Sequence, residues 1–112
     1  MSRVLETVLG NRSAAQALLY LEAYGTGHPN GMARTYGVSV TAMYRQLKRL
    51  EAGGVLVSRM VGNSRQFEFN PRNPTVKNLR GFLEAELEQL PEAELEAFYR
   101  ERRRPRRTGK AL

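Results

Sequence analysis

A chain of 112 residues with 41% apolar side chains can bury one modest core, so a single domain with appended helices is expected. The absence of cysteine excludes disulfides, thiolate metal sites and thiol nucleophiles, and fits a reducing compartment. The net charge of +7 is unevenly spread, which makes an acid-attracting surface the feature to locate.

Residues 1–29 are neutral, with Arg3 and Arg12 against Glu6 and Glu22. Residues 30–80 hold nine bases (Arg34, Arg45, Lys48, Arg49, Arg59, Arg65, Arg72, Lys77 and Arg80) against Glu51 and Glu68. Residues 81–99 carry six Glu and no base, and residues 100–112 carry seven bases against Glu101. The chain thus divides into a basic module, an acidic helical stretch and a basic tail. No run of about 18 apolar residues suits a membrane span, and the opening Met1 to Glu6 lacks the apolar core of a signal peptide, so a cytoplasmic protein without a membrane partner is expected.

Val4, Leu5, Val8 and Leu9 share one face of a short helix from Ser2 to Leu9, stopped by Gly10. Asn11 or Ser13 caps a second helix reaching about Tyr24, with Ala14, Ala15, Leu18, Leu19 and Leu21 as its apolar stripe. Gly25 to Pro29 reads as a loop, and Asn30 to Tyr36 is long enough for about two helical turns before Gly37. Ser39 caps the next helix, Val40 to Ala52, whose Met43, Leu47 and Leu50 recur at i, i+4 and i+7. Val55 to Val61 and Gln66 to Asn70 have strand composition, and Gly62-Asn63-Ser64 between them puts Gly first, as a type II′ turn requires, so the two runs pair as a hairpin.

Behind the cap at Asn73 and Pro74, the residues Val76, Leu79, Leu83, Leu87 and Leu90 form a seam at helical spacing, and a further turn from Pro91 carries Leu95, Phe98 and Tyr99 to about Arg102. The run from Arg103 has nothing to bury and is expected to be disordered when free. The expected organisation is a DNA-binding domain over residues 1–74, C-terminal amphipathic helices over 75–102 and a basic tail over 103–112. The fold class expected is mostly α with a small β-hairpin wing, an α+β winged helix-turn-helix with extra N- and C-terminal helices.

The stretch from Met32 to Leu56, with Gly37 in the turn, Ser39 at the cap and Leu50-Glu51-Ala52-Gly53-Gly54 before the first strand, resembles the ArsR/MarR-type superfamily of winged-helix regulators. Val61 to Pro71 is similar to the wing and exit of ArsR-like members. The resemblance covers roughly residues 4–90 and implies a transcriptional regulator acting as a homodimer on double-stranded DNA; repression is expected because a compact protein with no obvious activation surface works most easily by occupying a promoter. It departs from the metal-sensing members, since His28 is the single histidine and no cysteine exists, so no metal and no cofactor are expected.

Because Met43, Leu47 and Leu50 define the inner face of the recognition helix, Thr41, Tyr44, Arg45 and Lys48 become the outward candidates. Arg45 suits bidentate contact with guanine, and Ala42 permits close approach to a thymine methyl. Ser39 and Val40 start the helix, where backbone N–H groups can receive a phosphate. Asn63, Ser64 and Arg65 are the wing-tip candidates, and Arg34, Arg49 and Arg59 are assigned to backbone positioning. The stripe Val4, Leu5, Val8 and Leu9 and the seam Val76, Leu79, Leu83, Leu87 and Leu90 are the candidate dimer surfaces. No nucleophile with a partnered base, no phosphate loop and no metal cluster is legible, so no catalytic residue is assigned and an enzyme is not expected. The alternatives are a low-specificity architectural or plasmid-maintenance DNA binder and a winged-helix adaptor for another protein.

Overall fold

The computed structural model describes residues 1–102; the expectation of a disordered tail from Arg103 lies outside the described residues. The element order is α1 (Arg3–Leu9), α2 (Arg12–Tyr24), β1 (Thr26–Gly27), α3 (Pro29–Tyr36), α4 (Val40–Ala52), β2 (Leu56–Val61), β3 (Ser64–Phe69), α5 (Pro74–Gln89) and α6 (Glu92–Phe98). This is an α+β winged helix.

The helix starts follow from short polar side chains that take up otherwise unpaired N–H groups. Ser2 Oγ accepts from Leu5 N–H at 3.0 Å, Asn11 Oδ1 from Ala14 at 2.7 Å, and Asn73 Oδ1 from Thr75 at 2.9 Å. α2 is the central element, buried along Ala14, Ala15, Ala17, Leu18, Leu19 and Leu21, and it packs against α1, α4 and α5. Ala17 and Ala23 are buried there beyond the expected stripe, as suits a helix surrounded by others.

Two departures from the sequence expectation have physical causes. Thr26 and Gly27 lie in a strand and not a loop: β1 pairs antiparallel with β3, Thr26 opposite Glu68 and Gly27 opposite Phe67, giving the sheet order β1-β3-β2. Gly27 is required by close approach, since a Cβ there would sit 2.8 Å from both Met32 Sδ and Tyr20 Cε1. The last helix ends at Phe98 and not Arg102, because Tyr99 turns into the core, where it is buried.

That turn docks α6 onto the body through an aromatic cluster of Tyr20, Tyr24, Tyr36, Phe98 and Tyr99. Tyr36 OH donates to the Gln16 carbonyl at 3.0 Å, which leaves its oxygen to accept from Tyr99 OH at 2.7 Å, and Tyr24 OH donates to the Phe98 carbonyl at 2.7 Å. Burial pushes the Tyr36 phenol well above its ordinary range, and burial likewise raises Tyr99. α5 is fastened to α2 by Arg80, whose Nε meets the buried Glu22 carboxylate at 2.8 Å while its guanidinium covers the Phe69 ring at 5.1 Å. Arg80 is therefore paired with Glu22 and is not one of the free bases counted from the sequence, although its side chain stays partly exposed.

Candidate nucleic-acid interface

α3, its turn and α4 form the helix-turn-helix. His28 Nδ1 accepts from Gly31 N–H at 3.3 Å and so caps α3, a role that reading Gly25 to Pro29 as a loop did not give it. α3 ends at Gly37 in the left-handed conformation (φ 67°, ψ 37°), and Val38 N–H donates back to the Ala33 carbonyl at 3.0 Å, closing the turn. Ser39 Oγ then accepts from Ala42 N–H at 3.2 Å, which starts α4.

α4 buries Met43, Leu47 and Leu50 and exposes Val40, Thr41, Tyr44, Arg45, Lys48 and Arg49; Ala42 is half-buried. At 100° per residue Thr41, Arg45 and Lys48 fall opposite the buried face, with Tyr44 beside Lys48 on one flank and Arg49 on the other. Arg49 Nε donates to Gln46 Oε1 at 3.0 Å, which holds it along the helix. Arg34 is exposed in the last turn of α3.

The wing is the antiparallel pair β2–β3, in register from Leu56 opposite Phe69 to Val61 opposite Ser64. Gly62 and Asn63 form the two-residue loop: Gly62 has φ +61° and Asn63 does not have positive φ, as a type II′ turn demands. Ser64 consequently belongs to the strand and Asn63 alone with Gly62 to the tip. Strand alternation places the two bases of the wing, Arg59 and Arg65, on opposite faces. Arg65 shares the face of Leu56, Ser58, Phe67 and Phe69, which turns toward the body and α4. Arg59 lies on the opposite face with Val57 and Gln66, so a single flat contact by both is excluded by the register.

Where α4 meets the wing, Glu51 Oε1 accepts from Lys48 Nζ at 2.9 Å and Oε2 accepts from Ser58 Oγ. Ser58 Oγ accepts in turn from Arg65 Nη1 at 3.0 Å. The Ser58 and Lys48 hydrogen bonds hold the Glu51 carboxyl below its usual range, so it is ionised. Glu51 and Ser58 had no role in the sequence reading. Glu51 carried one signal, its i, i+3 spacing from Lys48, but the contact to Ser58 depends on how the hairpin folds back.

The candidate dimer surfaces divide. Leu5, Val76, Leu83, Leu87 and Leu90 are buried within this chain's own core, and Leu9 and Leu79 are partly buried against it. Most of the seam offered as a dimer surface is therefore covered by the chain's own core, with α2 packed along α5. Val4 and Val8 remain 72% and 65% exposed, and Phe82, absent from the sequence list because it lies off the seam, is 40% exposed. α1 begins beside the end of α5, where Met1 and Ser2 line a groove with Glu86, Gln89 and Leu90.

Among the described residues no group of three His, Cys, Asp or Glu side chains is arranged to hold a metal, and no helix is long and apolar enough to cross a membrane. No protein-family model and no curated protein matches the chain. Among solved structures the chain is similar to the AntR antimony-specific transcriptional repressor, with a TM-score of 0.52 and 23% identity over 78% of this chain and 80% of that one. The likeness is one of fold, the winged helix-turn-helix.

Proposed function

We propose that this chain is a sequence-specific double-stranded-DNA-binding transcriptional regulator, working as a repressor by occupying a promoter. The observation that carries the reading is α4: a capped helix with its apolar face buried and Thr41, Arg45 and Lys48 together on the outward face. Such a helix fits the B-DNA major groove, where Arg45 can bond bidentately to guanine O6 and N7 and Thr41 can reach either kind of base edge. Ser39, Val40 and Ala42 lie at the N-terminal end, which approaches the duplex most closely. Asn63, Ser64 and Arg65 then reach the minor groove or backbone from the wing, with Arg34, Arg49 and Arg59 as phosphate contacts that set register.

The active form is a homodimer joined through the exposed apolar residues of α1 and α5, Val4, Val8 and Phe82, which sets two recognition helices about 34 Å apart on a pseudo-palindrome. The fold similarity to a repressor supports a regulator over an enzyme. No cofactor or metal takes part in this reading.

The test is selection of bound fragments from the source genome at about 0.15 M salt, where nonspecific phosphate binding is already weakened. An enriched inverted repeat is the expected result. Uniform recovery refutes sequence-specific regulation in favour of a low-specificity binder, and no recovery refutes DNA binding and leaves the adaptor.

A further inference from the structure

The contact between α4 and the wing has more order than a DNA-binding surface requires for charge alone. Two bases, Lys48 on the recognition helix and Arg65 on the wing, converge on one carboxylate. Lys48 donates to Glu51 directly at 2.9 Å, and Arg65 donates at 3.0 Å to Ser58, whose own hydroxyl proton goes to Glu51. An ionised carboxylate only accepts, an ammonium or guanidinium only donates, and a hydroxyl does both, so the chain Arg65 to Ser58 to Glu51, with Lys48 entering from the helix, runs in a single direction with every group used in its proper sense. Charged partners at both ends make these bonds stronger than neutral ones.

Its location matters as much as its chemistry. Glu51 lies in the last turn of α4, Ser58 in the middle of β2, and Arg65 beside the tip of the hairpin on the face turned toward α4. Apolar packing through Leu56, Phe67 and Phe69 fixes the root of the wing, but beyond Ser58 the outer part of β2 is exposed, at Arg59, Met60 and Val61. Among the described residues the relay is the outermost tie recorded between that part of the wing and the recognition helix.

We infer that Glu51 and Ser58 are positioning residues that set the gap between recognition helix and wing and withhold Lys48 and Arg65 from indiscriminate phosphate contact, thereby raising the preference for a matched site over random DNA. The inference deepens the DNA-binding reading and rests on it. On random DNA a phosphate must compete with Glu51 for each base, which lowers nonspecific affinity. On a matched site the intact relay holds the wing where the outward face of α4 and the exposed tip residue Asn63 can engage the duplex together, so no compensating loss occurs.

Two measurements test it. The first needs no DNA: the chain has no cysteine, so Thr41→Cys and Asn63→Cys carry a pair of spin labels that report the distance from the start of α4 to the wing tip. Ser58→Ala in this background is expected to broaden the distance distribution, and Ser58→Thr, which keeps a hydroxyl, to restore it. An unchanged width in Ser58→Ala overturns the positioning role whether or not the protein binds DNA.

The second compares dissociation constants for the selected fragment and for random duplex in the protein without labels, as a function of salt. Ser58→Ala leaves net charge unaltered, so its expected lowering of the specificity ratio, by roughly 3- to 30-fold, cannot be a general charge effect; binding to random DNA should tighten and its salt slope steepen by about one phosphate contact. Glu51→Gln should steepen that slope by up to about two, because both bases are released. An unchanged ratio in a folded Ser58→Ala variant overturns the inference while leaving DNA binding intact. A wild-type chain that retains no duplex refutes the DNA reading itself, and with it the proposed effect on preference.

Discussion

Replacing Arg45 by alanine separates base reading from charge attraction, because the geometry of α4 gives each a different signature. Arg45 points away from Met43, Leu47 and Leu50 and no hydrogen bond or ion pair is recorded for it among the described residues, so truncation removes no fold contact and stability should change by less than about 0.5 kcal/mol. If it forms the bidentate guanine contact, discrimination at one base position falls by about 1–3 kcal/mol, roughly 5- to 150-fold in the ratio of affinities for the matched and substituted sites. The salt slope should barely move. Arg34, Arg49 and Arg59 remain as phosphate ligands of the helix-turn-helix and wing, and at about 0.9 per neutralised phosphate they contribute a slope of roughly −2.7 per chain. Fluorescence anisotropy of labelled duplexes across a salt series reads both quantities at once. Equal loss on every sequence, together with a slope shallower by about 0.9, refutes base reading and makes Arg45 one more phosphate contact.

The aromatic latch predicts a graded loss of stability in urea unfolding: about 1 kcal/mol for Tyr99→Phe and about 2 for Tyr36→Phe, which forfeits two hydrogen bonds and strands the buried Tyr99 hydroxyl. The same phenols keep their protons in the folded state when the unfolded chain has released them, so their stabilisation is complete below pH of about 10 and disappears as pH rises from there through the raised folded values, a loss that should shrink in the double phenylalanine variant. Gly27→Ala should cost about 1–3 kcal/mol, because its methyl group collides with Met32 and Tyr20; a neutral outcome would show that these side chains yield freely. Val4→Glu with Val8→Glu should leave thermal stability nearly unaltered and turn a dimer into a monomer in sedimentation, since both side chains are exposed in the single chain; an unaltered sedimentation coefficient rejects α1 as the interface. Removing residues 103–112 should flatten the salt slope and preserve the preferred sequence, and a changed preference rules out a purely electrostatic tail.

Most of the secondary structure was legible because its signals are local. Ser39, Asn11 and Asn73 cap helices through side chains that reach only two or three residues ahead, and Gly62 determines a turn through its own φ. Periodicity located the inner face of α4 for the same reason. β1 was illegible because two residues carry no pattern, and their strand character comes from pairing with β3, some 40 positions away. The seam of α5 was legible as apolar but not as to what covers it. Spacing reports that Leu83 and Leu87 must be buried; only the packing of α2 along α5 reveals that this chain buries them itself.

The same limit applies to the basic surface, and there it alters the functional argument. Counting charges along residues 30–80 treats all nine bases as equivalent, whereas the fold sorts them by partner. Arg80 is bound to Glu22 with its guanidinium over the Phe69 ring, Lys48 bonds Glu51 directly and Arg65 reaches it through Ser58, and Arg59 faces away from Arg65. Attraction to DNA depends on the bases left free to meet phosphate, so the chain should hold random duplex less tightly than its net charge suggests. A regulator gains from that arrangement, because the competing sites in a genome are numerous and weak nonspecific binding raises the fraction of protein on its target. The two acids set among the nine bases, Glu51 and Glu68, are then not a dilution of the signal that first marked this segment. Glu51 at least is the group through which the surface distinguishes bases held in place from bases free to bind.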